Sequence, residues 1–288
     1  MSAALRSLVL ACFLMLAAVP AFAGQSFSAL YVFGDSYADV GNIYLATNGA
    51  EPQSPPYFLG QFSNGPIWVE YVAASLHVPV GPSLVGGNDY AFGGALVTAP
   101  LVTPQGTVPS VPQQVGLYLS AHGGKADPNA LYLIEGGGND ILLGSGNPEA
   151  LGFKIAVNIA LSELALRQAG ARHFLIPNLF NVGLLPAAAA RTVFAAAASK
   201  STNQWLNLLV SLEQHVEGVS ILRVDAFALL NAIVKKPANY GFVNVTTPCL
   251  TTTTVCANPN QTLFWDVEHL TESGQLDLAA AVEKVLSE

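Results

Sequence analysis

Charge is scarce in this chain. Only a tenth of its 288 residues are ionised at neutral pH, and acidic residues outnumber basic ones by 19 to 11, a formal net charge of −8. That balance argues against a partner held by a basic surface, whether nucleic acid or an anionic membrane. Sulfur is equally sparse: the three cysteines are Cys12, Cys249 and Cys256, with no clustered Cys or His to complete a metal site. The chain has no Gly-rich phosphate loop ending in Lys-Ser/Thr, no Gly-x-Gly-x-x-Gly after the first apolar run and no His-Glu-x-x-His. Gly-x-Ser-x-Gly, the elbow of α/β-hydrolases, is also missing. No cofactor is implied. Internal repeats and charge blocks are absent as well.

Long apolar runs are confined to the N-terminus. Arg6 precedes an apolar stretch from Leu8 to Val19, and small residues at Ala21 and Ala23 complete the pattern of a secretory signal cut after Ala23. The run is shorter than the roughly 18 apolar residues of a membrane span. Residues 1–23 are thus expected to leave. Residues 24–288 remain as one domain of 265 residues and net charge −9, secreted or periplasmic and without a stable membrane span. A monomer is expected. Cys12 departs with the signal. The remaining even pair, Cys249 and Cys256, is expected to form a disulfide in an exported chain.

Short β-rich runs alternate with longer helical patterns, which predicts a parallel sheet with helices on both faces. Strands are expected at Leu30–Phe33, Asp89–Phe92, Leu131–Glu135, His173–Pro177 and Val219–Val224. Helices are expected at Ile67–Leu76, Val111–His122, Pro148–Ala169, Pro186–Val216 and Ser273–Leu286. The proline-rich stretches 52–66 and 98–112 read as surface loops.

Three of these strands run into glycine-bearing polar segments: Gly34-Asp35-Ser36, Gly93-Gly94 and Gly136-Gly137-Gly138-Asn139-Asp140. In an open parallel sheet, ligands bind beyond the strands' carboxyl ends, so these points gather at one edge. Asp266 and His269 precede the last helix and can reach that edge. A serine hydroxyl needs a base to take its proton, and the base needs an acceptor on its other nitrogen. Ser36, His269 and Asp266 supply these three parts. Backbone N–H groups of Ser36 and Gly93 and the side-chain amide of Asn139 could receive an oxyanion. Each piece alone has a bland reading: a turn serine, a surface Asp–His pair, a tight turn at Gly93, a cap at Asn139-Asp140. The other histidines, 77, 122, 173 and 215, read as structural.

Those motifs, in that order, resemble the GDSL esterase/lipase family, the SGNH hydrolases, over most of the chain after residue 23. Gly34-Asp35-Ser36 with Asp39, Gly41 and Asn42 resembles the family's first block. Residues 62–71 are similar to a segment of its longer members, and residues 88–95 and 137–140 resemble its second and third blocks. Asp266 and His269 match the last block, although Leu270 stands where proline usually follows the histidine. The resemblance implies a three-layer α/β/α sandwich, flavodoxin-like, with a mostly parallel five-stranded sheet. It also implies hydrolysis of a small-molecule or lipid carboxylic ester through an acyl-enzyme, with Ser36, Gly93 and Asn139 forming the oxyanion hole. Acyl transfer to an alcohol or sterol acceptor is the alternative within the enzyme class, and a carbohydrate- or lipid-binding module the alternative outside it. Residues 240–263, next to Asp266, are expected to frame the acyl or alcohol pocket.

Overall fold

In a computed structural model, residues 26–213, 216–252 and 254–288 are described; the expected signal and His215 lie outside them. Strand β1 is Leu30–Phe33, and β2 (Leu101–Thr103) and β3 (Gly106–Val108) form a small antiparallel hairpin. Strands β4 (Leu131–Ile134), β5 (His173–Leu175) and β6 (Ser220–Leu222) complete a parallel sheet in the order β1-β4-β5-β6. The helices are α1 (Asn42–Ala46), α2 (Trp68–Ser75), α3 (Val111–Ala121), α4 (Gly138–Leu143) and α5 (Pro148–Ala169). They continue with α6 (Thr192–Glu213), α7 (Ala226–Lys235) and α8 (Glu272–Ser287).

Period-two alternation along the strands builds three layers. Phe33, Tyr132, Ile134 and Phe174 face one core with side chains of α3, α5 and α6. Leu30, Val32, Leu131, Leu133 and Leu175 face the other with α2 and α8. All four residues of β4 are buried, as a central strand covered on both faces requires. Helix α5 begins where Asn147 accepts the Ala150 N–H at 2.9 Å with Pro148 at the first turn, and ends at Gly170.

Four departures from the sequence reading stand out. The fifth strand is not regular. Residues 88–92 lie beside β1 through bonds such as Tyr90 N–H to the Val32 carbonyl at 2.8 Å, but the Asp89 carboxylate turns back onto the Ala91 N–H and breaks the ladder. Second, the stretch 98–112 contains the β2–β3 hairpin rather than plain loop. Third, the helix expected from Pro186 begins only at Thr192. Residues 186–188 form a 3₁₀ turn, and the Arg191 guanidinium leaves the helix face to bond the Leu142 and Gly144 carbonyls. Fourth, α1, α4 and α7 were not expected, being short or, for α7, announced only by the Asp225 cap on the Ala228 N–H.

Counting residues 88–92 as the second segment, the sheet runs second, first, third, fourth, fifth. The order reverses beside β1, so the crevice beyond the end of β1 is the place where such a sheet binds ligands. Ser36 is three residues past that end.

Candidate active site

At the end of β1 the chain must turn sharply, and buried polar groups hold the turn. The Gln114 side chain bonds both the N–H and the carbonyl of Gly34 at 2.9 Å, and Glu135 accepts the Asp35 N–H at 2.6 Å. Asp35 in turn accepts the Tyr37 N–H at 3.0 Å. Ser36 is thereby presented at the crevice, only 6% exposed.

The opposite end of the sequence arrives through a tight loop. The Trp265 N–H bonds the His269 carbonyl at 2.7 Å, and Phe264 pairs antiparallel with Leu270, which is buried at the position the family gives to proline. One oxygen of Asp266 accepts the N–H groups of Glu268 and His269, both at 2.7 Å. The other lies 2.7 Å from His269 Nδ1, and His269 Nε2 lies 2.8 Å from Ser36 Oγ. An ionised carboxylate can only accept, so Nδ1 carries the proton and Nε2 is left to accept from the serine hydroxyl. The structure thus joins Ser36, His269 and Asp266, drawn from residues 233 positions apart, in one hydrogen-bonded chain. Cys249 and Cys256 are disulfide-bonded, S–S 2.08 Å. Their loop donates the Cys249 and Leu250 N–H groups to the Phe264 and Trp265 carbonyls, at 2.9 and 2.6 Å. Residues 240–263 therefore brace the Asp266 loop, and among the described residues none of them lines the cavity at Ser36, contrary to expectation.

Electrostatics favour a working base. Burial would depress the His269 pKa, but the charges of Asp266, Glu268 and Asp35 outweigh it and hold the imidazole above its ordinary 6.5. Burial pushes Asp266 the other way from its partners. The charge of His269, with hydrogen bonds from His269, Tyr57 and the Glu268 N–H, keeps it well below the usual carboxylate range.

The donors at the rear of the crevice need one correction. Gly93 is buried and its N–H donates to Asp39 Oδ2 at 2.7 Å, so that N–H is not free to receive an oxyanion. Asp39 also takes the N–H groups of Gly41, Asn42 and Ile43, closing the start of α1 onto the end of segment 88–92. Nothing local in the sequence says which N–H groups the Asp39 carboxylate captures. Gly93 has a packing reason instead: a Cβ there would lie 2.4 Å from the Phe62 ring, whose centre is 4.8 Å from that of the tilted His269 ring. The next residue, Gly94, has φ +80°, a conformation that favours glycine, and faces the cavity. Among the described residues the N–H groups of Ser36 and Gly94 donate to no protein group. Asn139 sits at the start of α4 and commits one amide N–H to the Ala95 carbonyl at 3.1 Å, leaving the other toward the cavity. Asp140 bonds the N–H groups of Val97 and Thr98, at 2.7 and 3.0 Å, and so ties the loop after Gly94 to the helix that carries Asn139.

Three further positioning groups had no sequence signal. Tyr57 donates to Asp266, Tyr37 donates its hydroxyl to the Glu268 carbonyl at 2.6 Å, and Glu135 accepts the Asp35 N–H in the turn that carries Ser36. Burial raises Asp35 and Asp39 to about 6 and pushes Glu135 and Asp89 well above the carboxylate range, helped by neighbouring acids. Among the described residues no helix is long and apolar enough to cross a membrane.

Known proteins resemble this chain. Residues 30–282 match the family model of the GDSL-like lipase/acylhydrolases. The thermolabile hemolysin of Vibrio parahaemolyticus is 27% identical over 83% of this chain, and the chain spans 59% of that protein. The phosphatidylcholine-sterol acyltransferase of Aeromonas hydrophila is 29% identical over 83% of this chain and 71% of its own. The crystal structure of a lipolytic G-D-S-L family protein from Veillonella parvula superposes with a TM-score of 0.51 at 14% identity, covering 89% of this chain and 97% of its own, a likeness of fold. With the model match running from β1 to within α8, the chain belongs to the GDSL-like lipase/acylhydrolase family.

Proposed function

We propose that this protein is a carboxylic ester hydrolase working through an acyl-enzyme on Ser36. The observation that carries the proposal is the unbroken Ser36 Oγ–His269 Nε2 and His269 Nδ1–Asp266 Oδ2 chain at the switch point of the sheet. Ser36 Oγ attacks the ester carbonyl carbon while His269 Nε2 takes its proton. Asp266 holds the ring and stabilises the imidazolium. The oxyanion is received by the N–H groups of Ser36 and Gly94 and by the free N–H of Asn139. Collapse of the tetrahedral adduct breaks the ester C–O bond, and the leaving alkoxide takes the proton from Nε2. Water then repeats the sequence on the acyl-serine, releasing the acid and restoring Ser36. Export by residues 1–23 and action of residues 24–288 as a monomer belong to the same proposal.

Incubation with a fluorophosphonate followed by peptide mapping tests the reading. A covalent adduct confined to Ser36 supports catalysis, and the absence of any adduct argues for a binding module. A second reading, acyl transfer to an alcohol or sterol, is favoured by the similarity to the Aeromonas acyltransferase. Both reactions share the acyl-enzyme, so product analysis with and without added sterol separates them.

A further inference from the structure

We infer that the cavity between α1 and the β2–β3 hairpin is the pocket for the acyl chain, and that it selects medium-length acyl groups, near eight carbons. The inference rests on Ser36 being the nucleophile, and its test is built so that the two can fail separately.

The cavity measures about 250 Å³ and opens at Ser36 and His269. Its inner wall is apolar. Ile43, Phe92 and Val108 are buried in a small cluster of their own, with Phe62 and Leu101 packed against them, separate from the two cores that flank the sheet. In the hairpin register Leu101 lies directly opposite Val108, so the pair shares one face, while the intervening Val102 is 78% exposed on the other. Leu101 also reaches the nucleophile end: its Cδ2 lies 3.7 Å from where a Cβ on Gly94 would stand. An acyl chain leaving a carbonyl bound at Gly94 therefore meets Leu101, with Val108 paired beside it.

Thr47, Glu51 and Gln105 also line the cavity, and a tail lying against them would have to strip water from them. Volume points to the length: a dry apolar cavity of about 150 Å³ takes benzene, with six carbons, so one of about 250 Å³ takes roughly eight to ten. Ser36 also borders a second, small cleft of about 10 Å³, beside Leu142, Phe180 and Leu185. The chemistry assigns the two sides. The alcohol must leave before water can attack, which suits the small cleft; the acyl group stays bound through deacylation, which suits the larger apolar cavity.

The test uses two series of substrates: p-nitrophenyl esters with acyl chains of increasing length, and acetate esters of increasingly long alcohols. Wild-type kcat/KM is expected to rise by roughly fourfold per methylene up to about eight carbons and then to stop rising. In Val108→Trp the octanoate-to-acetate ratio of kcat/KM should fall at least tenfold, and in Leu101→Ala the optimum should move to longer acyl chains. The alcohol-length profile should not change shape in either variant. A flat acyl profile in wild-type enzyme, or a shift of the alcohol profile in place of the acyl one, overturns the assignment. Fluorophosphonate labelling of wild-type Ser36 is run alongside: labelling with a flat profile sinks this inference alone, whereas no labelling and no turnover sinks the catalytic reading beneath it. Should Val108→Trp fail to fold, Leu101→Ala, at a partly exposed site, probes the same wall from the opposite direction, and an unmoved optimum there overturns the assignment.

Discussion

The hydroxyl of Tyr57 donates to Asp266 Oδ2 at 2.7 Å, the same oxygen that accepts His269 Nδ1–H at 2.7 Å. Tyr57 comes from the proline-rich stretch before α2, so a segment that reads as surface loop completes the carboxylate's coordination. By sharing that oxygen, Tyr57 draws negative charge away from the imidazole and helps keep Asp266 ionised.

Tyr57→Phe should therefore make Asp266 a stronger acceptor for His269 and stabilise the imidazolium. The base must be neutral to act, so activity falls as pH drops through the His269 pKa, which already lies above 6.5. The acid limb of the kcat/KM profile should move upward by roughly half a unit to one unit, with kcat at its plateau reduced less than about tenfold. An unshifted limb would leave Tyr57 a packing residue only.

Asn139→Ala removes one of the proposed oxyanion donors without touching Ser36. Turnover of p-nitrophenyl esters should drop by roughly 10²–10³, while fluorophosphonate still labels Ser36. Loss of labelling together with turnover would show that Asn139 supports the fold of the crevice instead.

How much of this site could be read from residues alone depends on whether a group acts locally or across the fold. Ser36, Asp266, His269 and Asn139 sit in short motifs that the sequence displays, and β1 and β4 lie where short β-rich apolar runs put them. Gly93 and Gly94 could not be told apart in that way, because the choice turns on which N–H the distant Asp39 captures. Tyr57, Tyr37 and Gln114 act from 209, 231 and 80 residues away, respectively, on the Asp266, Glu268 and Gly34 atoms they bond, and no local pattern marks them. The irregular fifth strand has the same origin: Asp89 has strand neighbours but spends its carboxylate on the backbone of Val40 and Ala91.

Stability should fall as pH rises across the acidic range. Asp35, Asp39, Asp89 and Glu135 all have folded pKa values raised by burial, two of them to about 6. Between the unfolded carboxyl pKa near 4 and these raised values, the folded state binds more protons than the unfolded one. Their contribution is complete below about pH 4 and is lost as pH rises through about 6 and beyond. The thermal midpoint should be higher at pH 5 than at pH 7.5, and Asp39→Asn should flatten the difference. A midpoint that climbs from pH 5 to pH 7.5 contradicts this balance.

The disulfide loop holds the chain that leads into Asp266. Replacing both Cys249 and Cys256 by serine should cost about 2–3 kcal/mol of stability from the short closed loop. It should also lower kcat on esters of every acyl length alike, because the loop braces Asp266 and does not line the cavity. A change in chain-length preference in the double variant would instead place residues 249–256 against the substrate.

The central claim is that Ser36 is activated by His269 and forms the acyl-enzyme, and turnover of a short p-nitrophenyl ester by Ser36→Ala measures it most directly. Loss of kcat by a factor on the order of 10³–10⁶, in a variant with the thermal midpoint of a folded protein, is the predicted result. Wild-type turnover in that variant would contradict it.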